Sequence, residues 1–587
     1  MQVKKTKIVC TLGPATDSVE IMEELIRKGM NVARFNFSHG SHEEQKARMD
    51  KLKQARKNTN ANVGILLDTK GPEIRTHLMA TDQVELKKGS QVKISMNEVA
   101  GTSEMFSVTY RDLIHDVVVG GHILLDDGLI DLQITGIDHV NQLIETTVLN
   151  SGFLKSRKGV NVPNVSLSLP GITEKDAADI RFGIREGIDF IAVSFVRSAK
   201  DVLGIRELLE AEGKPTIKII SKIENQEGID NLKDILLVSD GIMVARGDLG
   251  VEIPTEDVPV LQKEIIKQCN VMGKPVITAT QMLDSMQINP RPTRAEAGDV
   301  ANAIFDGTDA VMLSGETASG AYPVQAVEMM ASICLRTELA LIGQDAHVLK
   351  TYDKKDMTEA IGQSVGHTVK NLDINTIVAA TSSGHTARMI SKFRPKSHIL
   401  AATFDKDTCR QLTLSWGVHA FEVEKVESTD DLFDVATNLA LDQGFANEGD
   451  LIMITAGVPI GESGTTNLMK IQQIGVLLSQ GEGVGRSSYV GKAFVAYSSQ
   501  EANDKMQEGG ILVTKLTNME YMPAIRKASA IVTEEGGITS HAAIVGLELG
   551  IPVIVNAKGS LAAIKDNEFI TVDGRRGRVY RGSTAVI

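Results

Sequence analysis

At 587 residues the chain is too long for one hydrophobic core, and at roughly 150 residues per domain it suggests about four domains. A formal net charge of −13 argues against a general nucleic-acid or anionic-membrane binder, since both need a basic face, but leaves room for anionic substrates in a local cationic pocket. Four scattered cysteines, Cys10, Cys269, Cys334 and Cys409, form no CxxC pair, which speaks against a disulfide frame or a zinc site.

The first residues, "MQVKKTKIVCTLGP", enter a strand without a signal-peptide apolar region, and no apolar run is long enough to span a bilayer. A cytoplasmic protein is expected, with no nucleic-acid and no membrane partner. Short apolar runs then recur: "KIVCTLGP" (7–14), "NVARFNFSHG" (31–40), "GILLDTKGPEIR" (64–75), "DFIAVSFVR" (189–197), "IKIISKIEN" (217–225), "GIMVARGDLG" (241–250), "PVITATQML" (275–283) and "AVMLSGET" (310–317). Amphipathic stretches such as "SVEIMEELIRKG" separate them. Runs apolar on both faces, alternating with helices, are what a parallel sheet needs, and eight of them predict a closed (β/α)8 TIM barrel over 1–70 and 170–345.

The rhythm breaks over 71–169, where "QVKISM", "FSVTY" and "LIETTVLN" alternate with period two. This predicts an all-β lid domain inserted after the third barrel strand and hanging over the barrel mouth. Residues 346–475, with "TIVAATSSGHTARMISKFRP" and "DLIMITAG", read as an α/β regulatory domain. "LSQGEGVGRSSYVGKA" reads as a linker, its "GEGVGR" matching a dinucleotide loop only superficially. Residues 476–587 form an extra C-terminal domain.

The polar residues follow the apolar runs, where a barrel of this kind keeps its reactive groups. Glu224 follows strand five and Asp248 follows strand six. Two readings of the pair stand: surface acids on loops, or a site for Mg2+, which favours one or two carboxylates plus phosphate oxygens. Arg34, Arg75 and Lys222 place cations around the same mouth, an arrangement suited to a phosphoryl group in transfer, although each alone is also an ordinary salt-bridge partner. Lys222 would bridge the moving phosphoryl. Asn36, Ser38, Asp68 and Thr69 offer neutral oxygens with one formal charge, which suits a monovalent cation or plain turn hydrogen bonding. Thr280, after strand seven, has a hydroxyl that would relay a proton or simply reflect strand composition.

Together "ARFNFSHG", "LDTKGPEIR", "ISKIENQEG", "IMVARGDLGVE", "ATQMLDSM", "PTRAE" and "MLSGETASGAYP" closely resemble pyruvate kinase, in order from about Thr6 to Gly475. The resemblance implies transfer of the phosphoryl group of phosphoenolpyruvate to ADP, giving ATP and pyruvate, with Mg2+ (or Mn2+) and K+. It implies Glu224 and Asp248 as the divalent-metal ligands, Lys222 as the phosphoryl-stabilising residue and Arg34 as the substrate-phosphate arginine. Asn36, Phe37, Ser38, His39, Arg75 and Lys158 become nucleotide contacts, and Gly247, Asp248 and Thr280 the enolpyruvate site, with Thr280 in the relay that protonates the enolate. Asn36, Ser38, Asp68 and Thr69 become the K+ ligands, with Glu73 the residue that accompanies K+ dependence. Thr381, Ser382, Ser383, Gly384, His385 and Thr386 resemble a loop that binds the phosphate of an allosteric effector, a reading that stands beside a simple capped helix start. Kinship also implies a homotetramer.

"TEEGGITSHAAIVGLELGIPVIV" resembles the swivelling phosphohistidine domain of phosphoenolpyruvate-utilising enzymes, with His541 in the position of the phosphate carrier. No nucleotide-grasp domain is found to load it, so a structural or regulatory appendage is the favoured reading. Two other functions remain: a phosphoenolpyruvate–histidine phosphotransferase acting through His541, and a non-catalytic sensor of phosphometabolites acting through "TSSGHTA".

Overall fold

The computed structural model describes residues 3–341, 357–426, 428–458, 466–485 and 487–582. They divide into two compact units, one of residues 1–362, 382–395 and 403–422 and the other of 363–381, 396–402 and 423–587. Among the described residues, no helix is long and apolar enough to cross a membrane.

The first unit is built on the expected closed barrel of eight parallel strands. Strands one to eight are Lys7–Thr11, Val32–Asn36, Gly64–Asp68, Phe190–Val193, Lys218–Ile223, Gly241–Ala245, Val276–Ala279 and Ala310–Leu313. Side chains alternate between two cores along each strand, as the period of two requires. Ala33, Phe35, Ile65, Leu67, Ile219 and Ile223 pack outward against the helices. Val32, Leu66, Ile220 and Met243 fill the lumen. The same parity that sends Val32, Leu66 and Ile220 inward carries Arg34, Asp68 and Lys222 to the lumen face one step closer to the carboxyl ends of the strands. Parallel register sets Arg34 beside Leu66 and Asn36 beside Asp68.

Residues after strand three form the inserted domain, with a core of its own. It has a two-stranded sheet, Gln83–Leu86 with Gly152–Lys155, and a six-stranded sheet. Burial alternates residue by residue in Leu143–Val148. One short helical turn, Leu113–Asp116, interrupts the otherwise all-β domain.

In the second unit Thr376–Ala380 lies between His398–Thr403 and Leu451–Gly457, all parallel, and Thr466–Gln473 adds an antiparallel edge. An eight-stranded sheet follows. The linker reading of 478–493 is corrected by it, because Leu477–Gln480, Glu482–Val484 and Ser488–Ala496 are strands. The glycines there serve close backbone approach, not flexibility: a Cβ on Gly481 would stand 2.2 Å from the Val555 carbonyl oxygen, and one on Gly483 2.2 Å from that of Gly574. Arg486 of that stretch lies outside the described residues. Within this unit Arg576 pairs with Asp434 at 2.6 Å and Arg575 with Asp430 at 3.5 Å, tying the 574–577 turn to the helix Thr429–Asp442.

Candidate active site

Lys222 is the centre of a buried charge cluster. Its Nζ donates to Ser194 Oγ at 2.8 Å and stands 2.9 Å from Glu224 Oε1 and 3.3 Å from Asp68 Oδ1. Burial works against the ammonium, but Asp68 and Glu224 outweigh it and hold its pKa above the ordinary lysine value. Asp68 in turn accepts from Arg34 Nε at 2.6 Å. Desolvation opposes its charge, yet Arg34 and Lys222 keep its carboxyl below the usual aspartate value. Arg34 Nη1 also donates to Thr11 Oγ1 at 2.9 Å, so strands one, two, three and five contribute to one polar floor.

Glu224 is fully buried, and its Oε2 accepts the Phe195 backbone N–H at 2.6 Å. Among the described residues its Oε1 has no partner beyond the Lys222 ammonium, at 2.9 Å. Burial, offset in part by Lys222 and reinforced by the charge of Asp248, pushes the Glu224 carboxyl up to about 7. A buried carboxylate oxygen met only by a lysine that Asp68 and Ser194 share, next to a second carboxylate, is a site that a divalent cation would satisfy. Asp248 sits in the first turn of the helix Arg246–Glu252 and is exposed at the mouth. The donor set fits a divalent ion.

The monovalent-cation set is also gathered at two adjacent strand ends. Its members are engaged in local bonds: Asn36 Oδ1 accepts from Ser38 N at 3.0 Å, Thr69 Oγ1 from Ser194 N at 3.1 Å, and the Thr69 carbonyl from Ser194 Oγ at 2.7 Å. Glu73 pairs with Arg75 Nε at 2.7 Å. The turn that carries Thr69 and Glu73 is tied down by Asp176, whose Oδ1 accepts from Gly71 N at 3.1 Å. Asp176 is also the N3 residue of the capping box opening the helix Glu174–Glu186.

Thr280 is held in a left-handed conformation, φ 66°, followed by Gln281 at φ 54°. For a β-branched residue this strain costs about 1–3 kcal/mol, which the surroundings must offset. The Thr280 hydroxyl accepts from Gly247 N at 2.8 Å and donates to the Ala279 carbonyl at 2.7 Å. Phe195, whose N–H meets Glu224, is left-handed as well, at φ 55°.

The inserted domain reaches this mouth. Lys158 Nζ pairs with Asp126 at 2.8 Å, and Arg75 Nη1 donates to the Arg157 carbonyl at 2.8 Å. Burial and the charges of Asp126 and Asp248 raise the Asp127 pKa. Asn161 Nδ2 donates to Glu252 Oε1 at 2.7 Å, linking the domain to the helix that bears Asp248. The Phe37 ring, by contrast, is buried against Phe182 and turned away from solvent, while the His39 carbonyl accepts from Gln45 Nε2 at 3.0 Å.

Two residues that shape the mouth, Ser194 in the Lys222 cluster and Arg246 beside Thr280, were missed by sequence reasoning. Ser194 bridges Lys222 and Thr69, and the rule that polar residues follow apolar runs points to it in "DFIAVSFVR". Arg246, which contacts the Thr280 backbone, reads in sequence as one more surface cation.

The predicted effector loop belongs to a different place. Gly384, at φ 77°, caps the helix His385–Lys392, and a Cβ there would meet Leu412 at 2.9 Å. Thr408 Oγ1 donates to the Ser382 carbonyl at 3.2 Å and Arg388 Nη1 to that of Ser383 at 3.2 Å. Thr381 N bonds the Ala402 carbonyl at 3.0 Å, and Thr386 is buried. In the last domain His541 is the first residue of the helix His541–Leu549. Its Nδ1 lies 3.0 Å from Thr517 Oγ1, and its Nε2 is buried without a hydrogen-bond partner.

Comparisons with known proteins agree along the whole chain. Residues 3–327 match the family model described as pyruvate kinase, barrel domain; 359–472 match pyruvate kinase, alpha/beta domain; 506–577 match PEP-utilising enzyme, mobile domain. A pyruvate kinase of Geobacillus stearothermophilus is 60% identical over 585 residues and one of Bacillus licheniformis 58% over 588, each covering 100% of both chains. The last domain is therefore common to these relatives. A crystal structure of a pyruvate kinase from Cryptosporidium parvum superposes with a TM-score of 0.76 at 41% identity, over 80% of this chain and 96% of that one.

Proposed function

The chain belongs to the pyruvate kinase family of transferases, and on that premise we propose that its barrel mouth transfers the phosphoryl group of phosphoenolpyruvate directly to ADP. The observation that carries this reading is the convergence of Lys222, Arg34, Asp68 and Glu224 within one buried cluster. In the reaction the phosphorus–oxygen bond to the enol breaks and one to a terminal ADP oxygen forms, leaving an enolate that takes a proton at carbon to become pyruvate.

Glu224 and Asp248 would hold Mg2+ (or Mn2+), which when bound supplies positive charge to the substrate oxygens and the transferring group. Lys222, kept charged by its carboxylate neighbours, stabilises the equatorial oxygens as charge moves between donor and acceptor. Arg34 anchors the substrate phosphate. Gly247 and Asp248 frame the enolpyruvate group, and the Thr280 hydroxyl serves the proton relay. Arg75, Lys158 and the stretch Asn36, Phe37, Ser38 and His39 serve the nucleotide, Phe37 through its backbone. Asn36, Ser38, Asp68 and Thr69 would take K+ once their local hydrogen bonds rearrange.

The loop Thr381, Ser382, Ser383, Gly384, His385 and Thr386 is assigned to the phosphate of a small effector, and the assembly to a homotetramer in the cytoplasm. For His541 the appendage reading is preferred: Nε2 is enclosed, and Arg575 and Arg576 fasten the domain to the neighbouring helix. ATP formation from phosphoenolpyruvate and ADP with Mg2+ and K+ tests the central proposal. A wild-type protein that makes no ATP, or an Asp248→Asn variant with an unchanged Mg2+ requirement, would count against it.

A further inference from the structure

Arg246 is the residue whose contacts the roles above leave unexplained. It stands one residue before Gly247, at the start of the helix that follows strand six. Its Nη2 donates to the Thr280 carbonyl at 2.6 Å and its Nε to the Ala279 carbonyl at 3.2 Å. The remaining edge of the guanidinium binds Asp299, with Nη1 2.7 Å from Oδ2. Asp299 lies in the helix Arg294–Phe305, fixed at its start by the Thr293–Glu296 capping box.

These contacts address the strained step in the backbone. Thr280 and Gln281 are consecutive left-handed residues without being glycine. Such a conformation persists only where the surroundings over-determine it. Arg246 clamps the carbonyls of Ala279 and Thr280, which flank the Thr280 Cα, while Gly247 N binds the Thr280 hydroxyl. One dipeptide thus fixes both the backbone and the side chain of Thr280. The planar guanidinium fork can hold two carbonyls and a carboxylate in one plane; a lysine ammonium cannot reproduce that geometry.

We propose that Arg246, oriented by Asp299, is a positioning residue for enolate protonation, holding Thr280 in the left-handed conformation that presents its hydroxyl at the enolpyruvate site. The inference rests on the relay role given to Thr280 above. It separates the two halves of the reaction: phosphoryl transfer depends on Lys222 and the carboxylates, whereas proton delivery depends on the Arg246 clamp.

The test uses the full chain and a partial reaction. By microscopic reversibility a relay that protonates the enolate also removes a methyl proton from pyruvate, so deuterium exchange from solvent into the pyruvate methyl group, followed by NMR with Mg2+ and K+ present, reads proton transfer alone. Thr280→Val should lower that exchange by about 10²-fold, within the range for a lost acid–base group. Arg246→Lys should lower it by roughly 30-fold, since misplacement by about 1 Å can cost 10²-fold, while the phosphoenolpyruvate KM moves less than about threefold. The Arg246→Lys, Thr280→Val double variant should exchange no more slowly than Thr280→Val within about twofold, because the two act as one unit. Asp299→Asn, which leaves the guanidinium in place, should lower exchange by about threefold to tenfold and serves as the second probe if Arg246→Lys folds poorly. Exchange near the wild-type rate in Arg246→Lys, with Thr280→Val impaired, or losses that multiply in the double variant, would overturn the positioning role alone. Undiminished exchange in Thr280→Val would overturn the relay itself and leave Arg246 nothing to position.

Discussion

The Lys222 ammonium lies 2.9 Å from Glu224 Oε1 and is the one partner that buried oxygen has among the described residues. The same lysine is shared with Asp68 and Ser194, so its charge is held at the floor of the barrel mouth and is not consumed by one partner. Lys222→Met should lower kcat for ATP formation by at least about 10²–10³-fold with the fold retained, the loss expected for one stabilising donor. A loss below about tenfold would remove its assigned role.

Glu73 offers a test of the monovalent-cation account. Its carboxylate pairs with Arg75 at 2.7 Å and stands 3.8 Å from Lys70, so this corner of the mouth has an acidic member that would favour an added cation. Glu73→Lys should supply the positive charge internally and make ATP formation largely independent of K+. A variant that still requires K+ as wild type does would contradict that electrostatic account.

A second lysine has no catalytic role and a clear linkage signature. Lys7 begins strand one, is buried, and donates to the Val418 carbonyl at 2.6 Å. Burial and the nearby Lys4 lower its pKa from 10.5 to about 7. Between those values the unfolded chain holds a proton that the folded chain lacks, so this group makes stability rise with pH by about 1.4 kcal/mol per unit. Below pH 7 both states are protonated and the full cost of burying the charge is present. Lys7→Met should therefore melt above wild type near pH 7, with the gap closing as pH rises toward 10. The buried thiols oppose this slope at high pH but are common to both proteins, so the difference isolates Lys7. A gap that stays constant with pH would show that Lys7 titrates near its ordinary value.

The last domain should be separable from catalysis. Gly483→Ala sets a Cβ 2.2 Å from the Gly574 carbonyl oxygen, which should destabilise that sheet by about 1–3 kcal/mol. Hydrogen exchange over 477–582 should accelerate while turnover stays near wild type. A matching fall in ATP formation by protein whose barrel remains folded would contradict the appendage reading.

The barrel was legible because its lumen parity is written in short windows: "VARFN" and "KIISKI" show apolar residues yielding to Arg34, Asn36 and Lys222 on one face. Ser194 obeys the same rule and was overlooked because a serine carries no charge to attract attention. Arg246 could not be read, since its function lies in binding two backbone carbonyls whose left-handed geometry no local propensity announces for "TATQ". The glycines of "GEGVG" misled in the opposite direction. Local sequence equates them with flexibility, whereas here the approach of the Val555 and Gly574 carbonyls, distant in sequence, excludes any side chain.

The most direct measurement of the central claim compares ATP formation from phosphoenolpyruvate and ADP, with Mg2+ and K+, in wild type and His541→Ala. Direct transfer at the barrel requires equal rates in the two proteins. A folded variant that forms no ATP would mean that the phosphoryl group passes through His541, and the direct-transfer account would fall.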